Sequence, residues 1–294
     1  MQGKIIKGIA GFYYVYAEDD VLYECKARGV LRSRRVSPLV GDNVTLTVID
    51  SDNKKGSIED ILPRKNSLIR PAVANVDQAL IFFAKNNPEP NLGLVDRLLI
   101  TMEHQGIEPI IAFNKADLED SSEIDLVAEK AAYEAAGYPV IDVSVAQDEG
   151  LKDIYSKLGG KTTTLAGPSG AGKSSLINRL CPEAKMETGD ISEKLGRGRH
   201  TTRHAEILVV NHGSFIVDTP GFTSYDINFI EANELQNYYH EFDDYIGECR
   251  FNTCSHTHEP GCSVTNAVDR GEISMLRYDR YVRFYNELKS IRKY

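Results

Sequence analysis

The sequence predicts a chain of three parts: an all-β barrel, an α/β domain with a mostly parallel sheet, and a small α-helical domain built around cysteine and histidine. Three observations predict it. Short runs rich in Val, Tyr, Ile and Thr fill the first 66 residues. From about 72 to 225, compact apolar runs alternate with helical patterns. Beyond that the chain turns acidic and helical and carries a Cys/His cluster at 249–262. A length of 294 residues leaves room for such units to have their own cores, and the expected divisions are 1–66, 67–227 and 228–294.

The first part is cut by Gly, Asp and Asn breakers into runs such as "GFYYVYA", "VLYECKA" and "NVTLTVID". About five short strands in that length fit a small closed barrel, and an OB-fold is the natural candidate. In the second part, "QALIFFA", "EPIIAF", "PVIDVS", "KTTTLAG", "EILVV" and "SFIVD" read as buried strands. The helical candidates are "GLVDRLLITMEHQ", "IDLVAEKAAYEAAG" and "KSSLINRL". A final helix is expected in "EISMLRYDRYVRFYNELKSIRKY".

Charge narrows the function classes. A net charge of -9 excludes a protein that coats nucleic acid indiscriminately. It leaves room for a local basic face, because screening limits distant charge to about 8 Å of reach. Residues 1–66 hold eleven Lys/Arg against nine Asp/Glu, so the acidity lies downstream. No apolar run of membrane-spanning length occurs, and "MQGKIIKGIAGFYYVY" lacks a signal-peptide core, so a cytoplasmic protein without a membrane partner is expected. Five cysteines in such a chain point to metal binding or burial rather than a disulfide framework.

"GPSGAGKS" at 167–174 matches the phosphate-binding loop, with an apolar strand before it and a helical pattern after it. Gly167, Gly170 and Gly172 let the backbone curl so that successive N–H groups face one anion, in a GTP-binding loop that also includes Pro168, Ser169, Ala171 and Ser175. Lys173 adds a point charge at the outer phosphates, and Ser174 can ligate Mg²⁺. "FIVDTPGF" is the expected partner, with Asp218 in the Mg²⁺ shell and Gly221 offering its N–H to the terminal phosphate.

"NKAD" names the base. Asp117 can accept two hydrogen bonds from guanine, whereas adenine would leave the carboxylate unpaired, at a cost of several kcal/mol. Asn114 can bridge to the phosphate loop, and the stem of Lys115 can cover the base. In "DVSVAQ", a backbone N–H near Ser144 can meet the guanine O6, although Val145 stands where Ala is usual. The linear order is base motif, O6 loop, phosphate loop, Mg²⁺ motif. Every part of a GTPase is present, but the chain is cut at a different place, so a circularly permuted P-loop GTPase domain is expected. The segment after "DTPG" then runs into the C-terminal cluster, and GTP against GDP is expected to reposition that domain.

Phe222 occupies the place where Ras-like enzymes put a water-orienting glutamine. "GRGRHTTRH" at 196–204 lies where the first switch belongs: Thr201 or Thr202 can close on Mg²⁺, and His200 can position water or be a plain loop histidine. "CRFNTCSHTHEPGC" places Cys249, Cys254, His256 and Cys262 as a closed Cys₃His set for structural Zn²⁺. For RNA, the barrel offers Arg28, Arg32, Arg34 and Arg35. The last helix adds a basic face from Arg277, Arg280, Arg283, Lys289, Arg292 and Lys293, interleaved with tyrosines.

Taken in order, "RGVLR", "PLVGD", "RPAVANVDQALIFFA", "NKAD", "GPSGAGKSSLIN", "GRGRHTT", "DTPGF" and the C-x(4)-C-x-H-x(5)-C cluster resemble the RsgA family along nearly the whole chain. The resemblance implies an OB-fold on ribosomal RNA, a permuted G domain and a C-terminal α-helical zinc-binding domain. It also implies a monomer whose GTP hydrolysis is stimulated by the small ribosomal subunit in that particle's late maturation. Two rivals remain at this level: a P-loop kinase or ATPase, which has no use for "NKAD", and a non-catalytic RNA-binding scaffold that holds nucleotide.

Overall fold

The computed structural model describes residues 1–29, 37–68, 72–118, 124–182, 205–211, 213–218 and 226–291. Strands β1 (Gln2–Ile9), β2 (Phe12–Ala17), β3 (Leu22–Ala27), β4 (Asn43–Asp50) and β5 (Lys55–Ile61) close into a barrel in the order β1-β2-β3-β5-β4. β1 closes on β4 with Gln2 opposite Thr45, and β3 runs parallel to β5. Closure leaves no unpaired edge. Period-two alternation turns Ile5, Val15, Tyr23, Cys25, Val44, Leu46 and Ile58 into the barrel core. Gly56 is needed there, because a Cβ would come within 2.9 Å of the Cys25 sulfur.

The central sheet has the order β10-β11-β9-β6-β7-β8. Its strands are β6 (Gln78–Ala84), β7 (Glu108–Asn114), β8 (Val140–Val143), β9 (Thr162–Ala166), β10 (Glu206–Asn211) and β11 (Ser214–Asp218). All neighbours are parallel except the β10–β11 hairpin. β6 and β9 are buried along their whole length, which is why both read as unbroken apolar or threonine runs. Alternate residues of β6 feed two cores. Ala79, Ile81 and Phe83 face helices α1 (Leu92–His104) and α2 (Leu126–Ala135). Leu80 and Phe82 face α3 (Leu151–Leu158) and α4 (Lys173–Leu180). Each fully buried phenylalanine of this kind contributes about 1.5–3 kcal/mol.

The chain enters the sheet at its centre and leaves by both sides, so strand order reverses between β6 and β9. Ligands of open α/β sheets bind at such a point, outside the carboxyl ends of the strands. Here that end carries the loop after β9, which is the phosphate motif, and the loop after β7, which is the base motif. The order of motifs along the chain is therefore immaterial to the pocket.

The C-terminal part has two short 3₁₀ helices (Ala232–Tyr238 and His240–Phe242), then α5 (Ser263–Asp269) and α6 (Met275–Ser290). Its core includes Ile227, Leu235, Tyr239, Phe242, Tyr281, Phe284 and Leu288, and it also takes in Ile100 from α1. The basic face expected on the last helix is not what α6 forms with Arg277 and Arg280, which are 1% and 8% exposed. Arg277 donates to Asp96 at 2.6 Å and Glu241 at 2.8 Å, and Arg280 to Asp96 at 2.5 Å and Glu129 at 2.8 Å. They lie on the same helical stripe as Tyr281, Phe284 and Leu288, so the core-facing side of α6 takes them inward.

Candidate functional site

The loop after β9 curls because its glycines take positive φ: Gly167 at 143° and Gly172 at 98°. A Cβ at Gly167 would lie 2.0 Å from the Phe82 carbonyl oxygen, and one at Gly172 would lie 2.3 Å from Asn114 Nδ2. Only glycine fits both places. Gly172 caps α4 without a side-chain hydrogen bond, so the first amides of that helix remain available to an anion. Lys173 turns back over the loop, its ammonium donating to the Gly167 and Pro168 carbonyls at 2.8 and 2.6 Å. Burial holds that ammonium below the usual lysine range.

β7 delivers the base motif beside this loop. Asn114 is buried; its Nδ2 donates to the Ala171 carbonyl at 2.8 Å, and its Oδ1 accepts from the Val145 amide at 3.1 Å. One side chain thus ties together the phosphate loop, the base motif and the loop after β8. Lys115 adopts a positive φ of 64°, and its ammonium reaches the Asn87 carbonyl across the site. Asp117 accepts from the Ser144 hydroxyl at 2.5 Å. A cavity of about 520 Å³ opens between them, lined by Asn114, Lys115, Asp117, Ala146, Gly172 and Ser175 among others. That volume suits a nucleotide-sized ligand.

The loop after β8 differs in detail from the sequence expectation. The Ser144 amide donates to the Glu149 carbonyl at 3.0 Å, and the Val145 amide to Asn114. An amide in this turn with no hydrogen bond among the described residues is that of Ala146, a residue that lines the cavity. Ser144 contributes its hydroxyl instead, which orients Asp117 and accepts from the Gln147 amide at 3.2 Å. Sequence reasoning also missed Asn178 and Arg179, which line the same cavity from α4. Arg179 pairs with Asp148 at 3.2 Å. Their helical spacing from Ser174 and Ser175 was the available signal.

Asp218 closes β11, with its backbone opposite Glu206 and one residue past the Val217–Thr164 rung that leads to the phosphate loop. Ser174 sits in the first turn of α4. Gly221, His200, Thr201 and Thr202 lie outside the described residues, as do Arg32, Arg34 and Arg35. Arg28 is described, exposed, and paired with Glu59.

The second site is the Cys/His cluster. The ligand atoms of Cys249, Cys254, His256 and Cys262 all lie within 4.8 Å of one another. The Cys249 and Cys262 sulfurs are 3.9 Å apart, and His256 Nδ1 is 3.5 and 3.3 Å from them. A tetrahedral ion with metal–sulfur bonds of about 2.3 Å needs sulfurs about 3.8 Å apart, so the set fits. His256 Nε2 stands 2.7 Å from Gln236 Oε1, which fixes Nδ1 as the lone-pair nitrogen toward the cluster. The Ser263 and Thr265 amides each approach a cluster sulfur at 3.4 Å. The cluster can hold a metal ion with all four positions filled by protein.

Two family matches divide the chain. Residues 2–58 match the RsgA N-terminal domain, and residues 61–228 match the RsgA GTPase. The chain is 50% identical over 304 aligned positions to the small ribosomal subunit biogenesis GTPase RsgA of Agathobacter rectalis, with 100% of both chains covered. It is 47% identical to the protein of that name from Alkaliphilus metalliredigens, with 100% of this chain and 99% of the other covered. The crystal structure of YloQ, described as a circularly permuted GTPase, superposes with a TM-score of 0.81 at 38% identity, covering 100% of this chain and 96% of that one. YjeQ from Thermotoga maritima also gives 0.81, at 35% identity and 99% coverage of each chain. No helix among the described residues is long and apolar enough to cross a membrane. With phosphate loop and base motif at one end of this permuted sheet and a Cys/His cluster in the part that follows it, the chain belongs to the RsgA family of GTP-hydrolysing enzymes.

Proposed function

We propose that this chain binds the small ribosomal subunit and hydrolyses GTP during that particle's late assembly; its relatives are named small ribosomal subunit biogenesis GTPases. One observation carries the nucleotide half of this reading. Asn114 bonds the phosphate loop at Ala171 while Asp117, three residues on, lines the same cavity. A purine between them meets a carboxylate already oriented by Ser144, and the phosphates meet the curled loop, Lys173 and the amides opening α4. The residues Gly167 to Ser175, with Asn114, Lys115 and Asp117, form the proposed GTP site. Mg²⁺, held by Ser174 and Asp218, would neutralise phosphate charge as GTP is cleaved. His200, with Thr201 or Thr202, is the proposed catalytic set.

Zn²⁺ is the ion proposed for the Cys₃His cluster, where it would add folding free energy to the C-terminal core that Cys262 joins. The barrel, with Arg28, Arg32, Arg34 and Arg35, is the proposed face for ribosomal RNA, and the chain is proposed to act as a cytoplasmic monomer. The proposed divisions remain 1–66, 67–227 and 228–294.

The deciding experiment measures GTP turnover with and without purified small subunits, alongside GTP and ATP binding by calorimetry. Stimulation by the subunits together with guanine selectivity is expected. Asp117→Asn should erase a discrimination on the order of 10⁴ between guanine and other purines. Equal binding of ATP and GTP by the unaltered chain would overturn the nucleotide reading, and absence of stimulation would overturn the ribosomal one.

A further inference from the structure

The barrel grips the β10–β11 hairpin at two places. Lys7 on β1 donates to Glu206 at 2.8 Å. Three residues earlier on the same strand, the Lys4 ammonium stands 5.5 Å over the ring of Phe215, and Tyr16 of β2 meets that ring edge-on at 6.0 Å. Ile6, Tyr16 and Val40 of the barrel pack against the core that holds Ala205, Ile207, Phe215 and Val217. The hairpin is thus held once on each strand, by a charge on β10 and by a ring on β11.

Register gives these contacts a consequence. Glu206 is the direct cross-strand partner of Asp218, while Phe215 pairs with Val209 and, on the other side, with Thr162 of the phosphate-loop strand. Lys7 therefore pulls on the rung whose other member is the last residue of β11. A shift of that rung moves the Asp218 backbone relative to the phosphate loop, while the Phe215 contact keeps the barrel seated.

We propose that Lys7 is a positioning residue for GTP hydrolysis, acting through Glu206 to hold Asp218 in register and so making the barrel a lever on the Mg²⁺ side of the nucleotide site. The proposal rests on the reading above, in which Asp218 serves Mg²⁺ and the barrel meets RNA. The Lys7–Glu206 pair suits a lever because both side chains are more than a third exposed, at 36% and 41%. Such pairs are weak enough to form and break without unfolding. Small displacements at a reacting centre are costly, on the order of 10²-fold per ångström in rate, so a weak contact can have a large effect.

The test uses the full chain. Lys7→Glu, Glu206→Lys and the double exchange are assayed for GTP turnover against Mg²⁺ concentration, with and without small ribosomal subunits. GTP affinity is followed with a fluorescent analogue and folding by thermal melting. Each single reversal should lower subunit-stimulated kcat by about fivefold or more and raise the Mg²⁺ needed for half-maximal rate. GTP affinity at saturating Mg²⁺ should stay within about twofold, and the double exchange should recover most of the loss. Glu206→Gln, a neutral and nearly isosteric change, should show the same direction at smaller size.

Single variants with unaltered kcat and Mg²⁺ dependence would overturn the proposal. So would a double exchange no better than Lys7→Glu alone, which would mean that Lys7 touches RNA directly. If the unaltered chain itself is not stimulated by subunits, the ribosomal reading fails. The Mg²⁺ midpoint of unstimulated turnover then still decides the role of Lys7.

Discussion

The barrel meets the central domain through apolar packing by Ile6, Tyr16 and Val40 and an ion pair of Lys7 with Glu206, whose side chains are 36% and 41% exposed, whereas α6 meets it through the side chains of Arg277 and Asp96, 2% and 0% exposed. Both joints use an ion pair, but the surroundings make them different devices. In water the first pair gains about 0–1 kcal/mol and is screened by salt. In the second, Asp96 accepts from Arg277, Arg280 and the Tyr133 hydroxyl at 2.5–2.7 Å, and Glu129 and Glu241 complete the set. Burial works against the Arg277 charge, yet Asp96 and Glu241 overcome it and hold the guanidinium well above its ordinary range. A buried network of this kind is all or nothing, because removing one member strands the others.

Position sharpens the contrast. The buried joint fastens the C-terminal domain to α1 and α2, and α2 follows the base motif along the chain. The exposed joint fastens the barrel to the strand opposite Asp218. The C-terminal domain is thus tied by buried charges to the base side, and the exposed ion pair lies on the phosphate side. Of these two ion pairs, the one at the barrel can break without stranding a buried charge.

Breaking the strong joint gives the largest effect. Asp96→Ala should cost about 3–5 kcal/mol in urea denaturation, because two buried guanidinium groups lose their shared acceptor. Replacing Asp96, Arg277, Arg280, Glu129 and Glu241 together by apolar residues of similar volume should restore much of that loss. A cost below about 1 kcal/mol for the single change would remove the distinction between the joints.

Lys7→Ala should cost about 0–1 kcal/mol at low salt and nothing measurable near 1 M salt, where the Debye length falls to about 3 Å. The Asp96→Ala cost should hold across the same series. Parallel salt dependence in the two variants would count against the comparison.

The smallest effect concerns the rim of the C-terminal joint. His240 bonds Glu103 at 3.0 Å and stacks on Tyr138, with Glu241 and Asp243 nearby. The Glu103 hydrogen bond chiefly raises its imidazole above the ordinary value, against the effect of burial. Its stabilisation is therefore complete below the ordinary histidine value of about 6.5 and is lost as pH rises through the raised one. With the side chain nearly half exposed, the loss should stay under about 1 kcal/mol. His240→Gln should flatten stability over that window, and an unchanged slope would assign the pH dependence elsewhere.

The nucleotide motifs were legible because backbone geometry constrains them locally: Gly167 and Gly172 must be glycine, and Asn114 and Asp117 must stand three apart after a strand. The Cys₃His spacing was legible for the same reason. Arg277 and Arg280 were not, since arginine among tyrosines reads as a solvated or RNA-facing surface. Their partners Asp96 and Glu129 lie 151–184 residues away in sequence. Helix α3, "LKDIYSKL", did not stand out because no motif announces it, whereas the equally short α4 follows the phosphate loop. The loop after β8 shows the limit at finer scale, because the Ser144 amide goes to Glu149 and its hydroxyl to Asp117, pairings that no local pattern announces.

The sequence by itself determined the family, the three-part organisation, the phosphate and base loops and the metal-binding set, all of which rest on short-range spacing and backbone conformation. Only the tertiary structure decided which charges are buried, which amide is left for a ligand and which strand the barrel grips. Those outcomes depend on solvent exclusion and register between segments far apart in the chain, and no local pattern of residues encodes either.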